Sequence, residues 1–312
     1  MEIRNLGRSG LRVSVVGLGC NNFGGRLALE GTRAVVHAAL DQGITLFDTA
    51  DMYGNRGGSE TLLGDLLGAR RKDIVLATKF GMAMDDAGSM KGGSRRYIMS
   101  AVEASLKRLR TDWIDLYQFH TPDPLTPIEE TMRALDDLIR QGKVRYIGCS
   151  NMPGWQVVDA QWTAALAGLN GFVSCQDEYS LLVRDIESER VPAMKAKGLG
   201  LLPYYPLASG LLTGKYQRGQ QAPPGTRFEN DKRYTDRYMT QANWDRVEKL
   251  AAFAQSRGHS LLELAFSWLA SRAPVASVIA GATHPDQVAA NIAAVGWQLS
   301  PEEMVEIDGI TV

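Results

Sequence analysis

Four side chains able to handle protons stand at or near the ends of three apolar runs. The run Ile44-Thr45-Leu46-Phe47 closes on Asp48, and Tyr53 follows within the same stretch, FDTADMYG. The run IVLATKF carries Lys79 near its end, and IDLYQFH closes on His120. If the three runs are neighbouring parallel strands, Asp48, Tyr53, Lys79 and His120 converge on one rim. A phenol ordinarily titrates near pH ~10, so Tyr53 needs a neighbour favouring its anion if it is to protonate a carbonyl oxygen near neutrality. An ammonium does this, which makes Lys79 the natural tuner of Tyr53. Asp48 would hold Lys79, since an unpaired buried ammonium is costly. His120 would orient a carbonyl by a hydrogen bond or assist the proton transfer. The set suits proton delivery beside a hydride transfer.

The elements that must position these groups are legible as apolar runs. Eight of them appear: VVGLG from Val15, ITLFDT from Ile44, IVLATKF from Ile74, IDLYQFH from Ile114, VRYIGCS from Val144, FVSCQ from Phe172, GLGLLPYY from Gly198 and ASVIAG from Ala276. Most are apolar nearly throughout, as strands covered on both faces are. Helical periodicity fills the gaps: Thr32 to Gln42, Ser94 to Leu109 with Ser94 as N-cap, and Thr126 to Gln141 stopped by Gly142. A strand plus crossover helix recurring through the chain predicts a (β/α)8 TIM barrel as one domain over residues 1–312. An N-terminal β-hairpin precedes it around Gly7 and Gly10, and extra C-terminal helices follow. The polar stretch from Tyr216 to Tyr238 reads as a lid or binding loop. A doubly wound dinucleotide fold fits less well, because the turn Gly17-Leu18-Gly19-Cys20-Asn21-Asn22 lacks the third glycine of its fingerprint.

Composition narrows the function class. The 312 residues are 45% hydrophobic and carry a formal net charge of −1, which leaves no electrostatic footprint for nucleic acid. No apolar run approaches the ~20 residues that cross a bilayer, and MEIRNLGRSG lacks a signal pattern. Three cysteines, Cys20, Cys149 and Cys175, are an odd number without CxxC spacing, which points to reduced, packed thiols and a cytoplasmic location. The four histidines lack metal-ligand spacing, and no nucleophile elbow is present.

In a barrel the C-terminal strand ends line the site. Here they supply Gly19 to Phe23, Asp48, Lys79, His120, Ser150, Asn151, Gln176, Tyr204, Tyr205, Gly281 and Ala282. After the last strand, Thr283-His284-Pro285-Asp286 reads as a helix start whose free N–H groups could receive a phosphate; an ordinary cap explains it equally. The flexible stretch from Leu207 to Tyr216 could let backbone approach a pyrophosphate, or be a plain surface loop.

FDTADMYG, LATKF, DWIDLYQFH, GCSN, QDEYS, PYYPLASGLLTGKY and VIAGATHPDQVAANI, in this order across nearly the whole chain, resemble the aldo-keto reductase family, and within it the bacterial and potassium-channel β-subunit-like branches. The resemblance implies a barrel that reduces aldehydes or ketones, small-molecule carbonyl substrates, with a nicotinamide dinucleotide. It carries the catalytic tetrad onto Asp48, Tyr53, Lys79 and His120. It places Ser150, Asn151 and Gln176 on the carboxamide and Tyr204 on the nicotinamide face. It also puts Tyr205, Pro206, Leu207, Ser209, Gly210 and Lys215 around the pyrophosphate, and Gly281, Thr283, Gln287 and Asn291 at the adenosine end. Cys20, Asn21 and Asp48 complete the cofactor side. Where many members have Arg or Lys near the 2′-phosphate, this chain has Ala282, Thr283, His284 and Gln287; Lys215 and Arg227 would supply that charge. NADP(H) is expected, with NAD(H) the alternative. Asn22, Phe23, Tyr53, Phe80 and His120 are expected around the substrate. The other readings are an NAD-dependent dehydrogenase of a sugar or pyridoxal-like alcohol, and a redox-sensing subunit with slow turnover.

Overall fold

The computed structural model describes residues 1–311. The N-terminal hairpin pairs β1 (Ile3–Asn5) with β2 (Arg12–Ser14) antiparallel, as expected from the sequence. Eight parallel strands then alternate with helices. They are β3 (Val16–Gly19), β4 (Leu46–Asp48), β5 (Val75–Phe80), β6 (Ile114–Phe119), β7 (Val144–Ser150), β8 (Ser174–Glu178), β9 (Gly200–Tyr204) and β10 (Val278–Gly281). Their order is β10-β3-β4-β5-β6-β7-β8-β9. The ring closes where the Leu201 N–H donates to the Pro274 carbonyl and the Ala276 N–H donates to the Leu201 carbonyl. The result is a (β/α)8 barrel.

Most strands are buried along nearly their whole length because helices cover them outside and side chains fill them inside. Outside lie α1 (Leu29–Asp41), α2 (Tyr53–Leu67), α3 (Arg95–Leu109), α4 (Ile128–Arg140), α5 (Gly154–Leu166) and α6 (Arg190–Lys197). Each helix turns an apolar face inward: Val35, Val36, Ala39 and Leu40 on α1 are buried, as are Ile98, Val102, Leu106 and Leu109 on α3. Ser94 caps α3 by accepting from the Tyr97 N–H. Inside the lower barrel, Leu46, Ala77, Leu116, Leu202, Ala276 and Ile279 pack with Leu6 and Val13 of the hairpin. The hairpin is therefore the plug of the barrel floor.

The stretch from Tyr216 to Tyr238 is partly helical, with α7 (Arg227–Asn230) and α8 (Lys232–Tyr238). These are short for their propensity alone, and tertiary contacts hold them. Tyr234 and Tyr205 share a hydrogen bond of 2.9 Å between hydroxyls, and the Arg227 guanidinium lies 5.1 Å from the Tyr234 ring centre. Next come α9 (Gln241–Ser256) and α10 (Leu261–Ser271); after β10, α11 (Pro285–Ala293) and α12 (Pro301–Thr311) end the described chain. All three cysteines are free and buried, with the sulfurs of Cys149 and Cys175 3.5 Å apart on adjacent strands. Among the described residues no helix is long and apolar enough to cross a membrane.

Candidate active site

Inward positions alternate along a strand, so the residue two beyond Leu46 is Asp48, and the one two beyond Ala77 is Lys79. Both are buried at the top of the barrel. Lys79 Nζ donates to Asp48 Oδ2 at 2.7 Å and to the Thr49 carbonyl at 2.8 Å, and lies 3.4 Å from the Tyr53 hydroxyl. The Tyr53 and His120 rings meet edge to face, with centroids 5.9 Å apart. The four predicted groups thus converge at one mouth.

Tyr53 is aimed by the turn that follows it. Helix α2 opens with four residues in the left-handed region, Gly54 to Gly57. At Gly54 a Cβ would sit 2.4 Å from the Phe23 carbonyl oxygen, so only glycine lets the two loops approach so closely.

Electrostatics differs in one respect from the sequence-based expectation. Burial lifts the Tyr53 pKa above its ordinary value, and although Lys79 pulls it down, the net shift is upward. Burial opposes the Lys79 charge, but Asp48 and Tyr53 outweigh it and leave that pKa raised too. Lys79 therefore offsets desolvation instead of making the resting phenol acidic. Burial, then the nearby Lys79 charge, lowers His120 to about 3. At neutral pH the mouth holds a neutral imidazole, a protonated phenol and an ammonium.

A cleft of about 720 Å³ runs from this mouth across the barrel top. Cys20, Asn21, Asn22, Asp48, Tyr53, His120, Ser150, Asn151, Gln176, Tyr204, Tyr205, Pro206, Leu207, Ser209, Gly210, Lys215, Arg227, Gly281, Thr283, Gln287 and Asn291 line it. Lys79 lies beneath the lining, fully buried. Two expected substrate contacts, Phe23 and Phe80, are fully buried and do not border the cleft. Because Lys79 points inward, Phe80 must point outward, where it stacks on Tyr117 and Phe119. Asn22 borders the cleft, but its amide donates to the Ala282 carbonyl at 3.3 Å, tying the loop after β3 to the end of β10.

Polar groups along the floor hold one another. The Ser150 hydroxyl donates to the Gln176 carbonyl at 2.8 Å, and the Tyr204 hydroxyl donates to Asn151 Oδ1 at 2.8 Å. Arg26, Lys215 and Arg227 also border the cleft, and none belongs to a salt bridge among the described residues. Burial, then the charges of Arg26 and Arg227, lowers the Lys215 pKa. A desolvated cation beside two others is a site for an anion. At the helix start after β10, His284 caps α11 by accepting from the Asp286 N–H, and the Thr283 N–H donates to the Gln287 side chain at 2.8 Å. The donor set fits a nicotinamide dinucleotide: amide and hydroxyl groups beside the tetrad, a tyrosine wall, and three cations that join no salt bridge among the described residues.

Sequence reasoning missed Arg26, whose guanidinium donates to the Gly225 carbonyl, and Gln118. Gln118 is fully buried, and its amide donates to Asp48 Oδ1 at 3.0 Å. Its signal was available: it stands at an inward position of β6, two residues before His120, which follows the strand's end.

A family model described as the aldo/keto reductase family matches residues 15–312. A protein of Oryza sativa subsp. japonica named "Probable voltage-gated potassium channel subunit beta" is 39% identical, the alignment covering 99% of this chain and 96% of that protein. The "L-glyceraldehyde 3-phosphate reductase" of Escherichia coli strain K12 is 35% identical over 99% of this chain and 92% of its own length. An uncharacterised oxidoreductase of Bacillus subtilis strain 168 is 37% identical, with 97% and 93% covered.

Proposed function

The chain belongs to the aldo/keto reductase family, an oxidoreductase family acting on small carbonyl compounds with nicotinamide cofactors, and from that premise we propose that it reduces aldehydes or ketones to alcohols with NADPH. The observation that carries this reading is the approach of the Tyr53 hydroxyl to Lys79 Nζ at a cleft that Arg26, Lys215 and Arg227 also border.

When bound, the reduced nicotinamide supplies the hydride. Ser150, Asn151 and Gln176 would hold the carboxamide, Tyr204 would lie against the ring, and the loop from Tyr205 to Lys215 would receive the pyrophosphate. His120, neutral at working pH, presents an N–H to the substrate oxygen without adding charge. Tyr53 delivers its proton to that oxygen as the carbonyl carbon is reduced. A tyrosinate is then left in a buried site, and Lys79, steadied by Asp48, stabilises it. The raised resting pKa of Tyr53 keeps the acid loaded. The NADPH preference rests on the three cations, which suit an additional phosphate.

The test is consumption of reduced coenzyme by the purified protein with aldehydes, ketones and sugars, comparing NADPH with NADH. NADPH-dependent turnover of small aldehydes is the expected result. Equal efficiency with both coenzymes would overturn the coenzyme choice, and negligible turnover alongside tight dinucleotide binding would favour a sensing subunit.

A further inference from the structure

Three hydrogen-bonding groups share Asp48. Lys79 takes Oδ2 at 2.7 Å, while the side-chain amides of Gln118 and Gln176 both donate to Oδ1, at 3.0 and 2.8 Å. The second N–H of Gln176 faces Gln118 Oε1 at 3.5 Å. All four side chains are buried, with Gln118 and Lys79 fully so. The direction of this network follows from chemistry. A carboxylate paired with an ammonium only accepts, so both glutamines must turn an NH2 towards it. Gln176 Nε2 is then occupied by Asp48 on one side and faced by Gln118 Oε1 on the other. Its own Oε1 is the atom left for the cleft that Gln176 borders.

We propose that Gln118 is a positioning residue, one that fixes Gln176 as an acceptor towards the cofactor's carboxamide NH2 while bracing Asp48 beneath Lys79. This rests on the functional reading above. Gln118 does not border the cleft and acts through Asp48 and Gln176. It ties the end of the site that holds the nicotinamide to the end that delivers the proton. Without it, the Gln176 amide loses its second partner and Asp48 loses a donor. Both halves of the site then loosen together.

The experiment compares wild type with Gln118→Met, which keeps length and burial but removes donor and acceptor. Affinities for NADPH and for 2′-phospho-ADP-ribose, which lacks the nicotinamide, are measured by calorimetry, and thermal melting reports folding. For Gln118→Met, NADPH binding should weaken about tenfold, while 2′-phospho-ADP-ribose binding stays within about twofold. The turnover number should fall by a similar factor with the carbonyl KM nearly unchanged. A merely structural role would weaken both ligands alike, and that result, or no change in either, overturns the proposal. If Gln118→Met does not fold, Gln118→Asn, shortened by one methylene, carries the same comparison. A wild type that binds no dinucleotide overturns the functional reading itself; a wild type that binds it, with an unselective variant, overturns this inference alone.

Discussion

Leu46 and Asp48 point into the same barrel from the same strand, as do Ala77 and Lys79, and Leu116 and Gln118. The first member of each pair belongs to an apolar layer sealed below by Leu6 and Val13. The second belongs to a buried polar layer joined by hydrogen bonds to Asp48 and opening onto the cleft. One step of the pleat therefore separates a region that stabilises the fold from one that holds charge out of water. Burying an ion pair costs desolvation that an apolar replacement would avoid. The lower layer offsets what the upper one costs.

The contrast gives the two layers opposite mutational signatures. Lys79→Met should lower turnover at least about a hundredfold and destabilise by about 3–5 kcal/mol, because Asp48 is left buried without its cation. Adding Asp48→Asn should restore most of that stability in urea melts and none of the turnover. A double variant no more stable than the single one would contradict the view of the upper layer. In the lower layer, Leu116→Ala should cost about 2–5 kcal/mol through its cavity. The folded protein should keep turnover within a factor of about two, as steady-state assays below the melting range would show.

Behind the upper layer sits a further acid, Asp51, buried, with one oxygen unpartnered and the other accepting from the Tyr97 hydroxyl at 3.3 Å. Burial, and then the charge of Glu60, raises its pKa to about 7 against the pull of Arg108. The folded state therefore binds this proton more tightly than the unfolded chain. The stability Asp51 contributes is full below the ordinary value of 3.8 and is lost as the pH climbs through about 7. Asp51→Asn should thus match wild type near pH ~4 and exceed it at pH ~8 by on the order of 3 kcal/mol, measured by denaturant melts across that range. The smallest effect is spectroscopic. With its pKa lowered to about 3, the His120 ring resonances should keep the positions of neutral imidazole at pH ~5, where an exposed histidine is charged. A shift between pH ~7 and ~6 would contradict this.

How much of this could be read beforehand follows the same division. Strands covered on both faces announce themselves as unbroken apolar runs, and polar residues at their ends stand out against that background. That is why Asp48, Lys79 and His120 were visible. Register was harder. Phe80 looks like a pocket wall beside Lys79, but the two-residue repeat sends it outward to Tyr117. Gln118 is a neutral residue inside a strand: its place two residues before His120 marks it as inward-facing, but no charge shows what it holds. Its importance comes from where Asp48 and Gln176 are, which only the folded chain brings together. Helices α7 and α8 depend on Arg227 and Tyr234 meeting Tyr205, a tertiary fact absent from any local pattern. The balance at Tyr53 was also beyond the sequence, because it depends on how deeply that hydroxyl is buried.

The claim on which the rest depends is that the Tyr53 hydroxyl supplies a proton next to a bound dinucleotide. The direct measurement is Tyr53→Phe, assayed for NADPH binding by calorimetry and for aldehyde reduction by coenzyme consumption. The expected result is NADPH affinity within about twofold of wild type and turnover reduced by a factor on the order of 10²–10⁴. Turnover equal to wild type with NADPH still bound would contradict it.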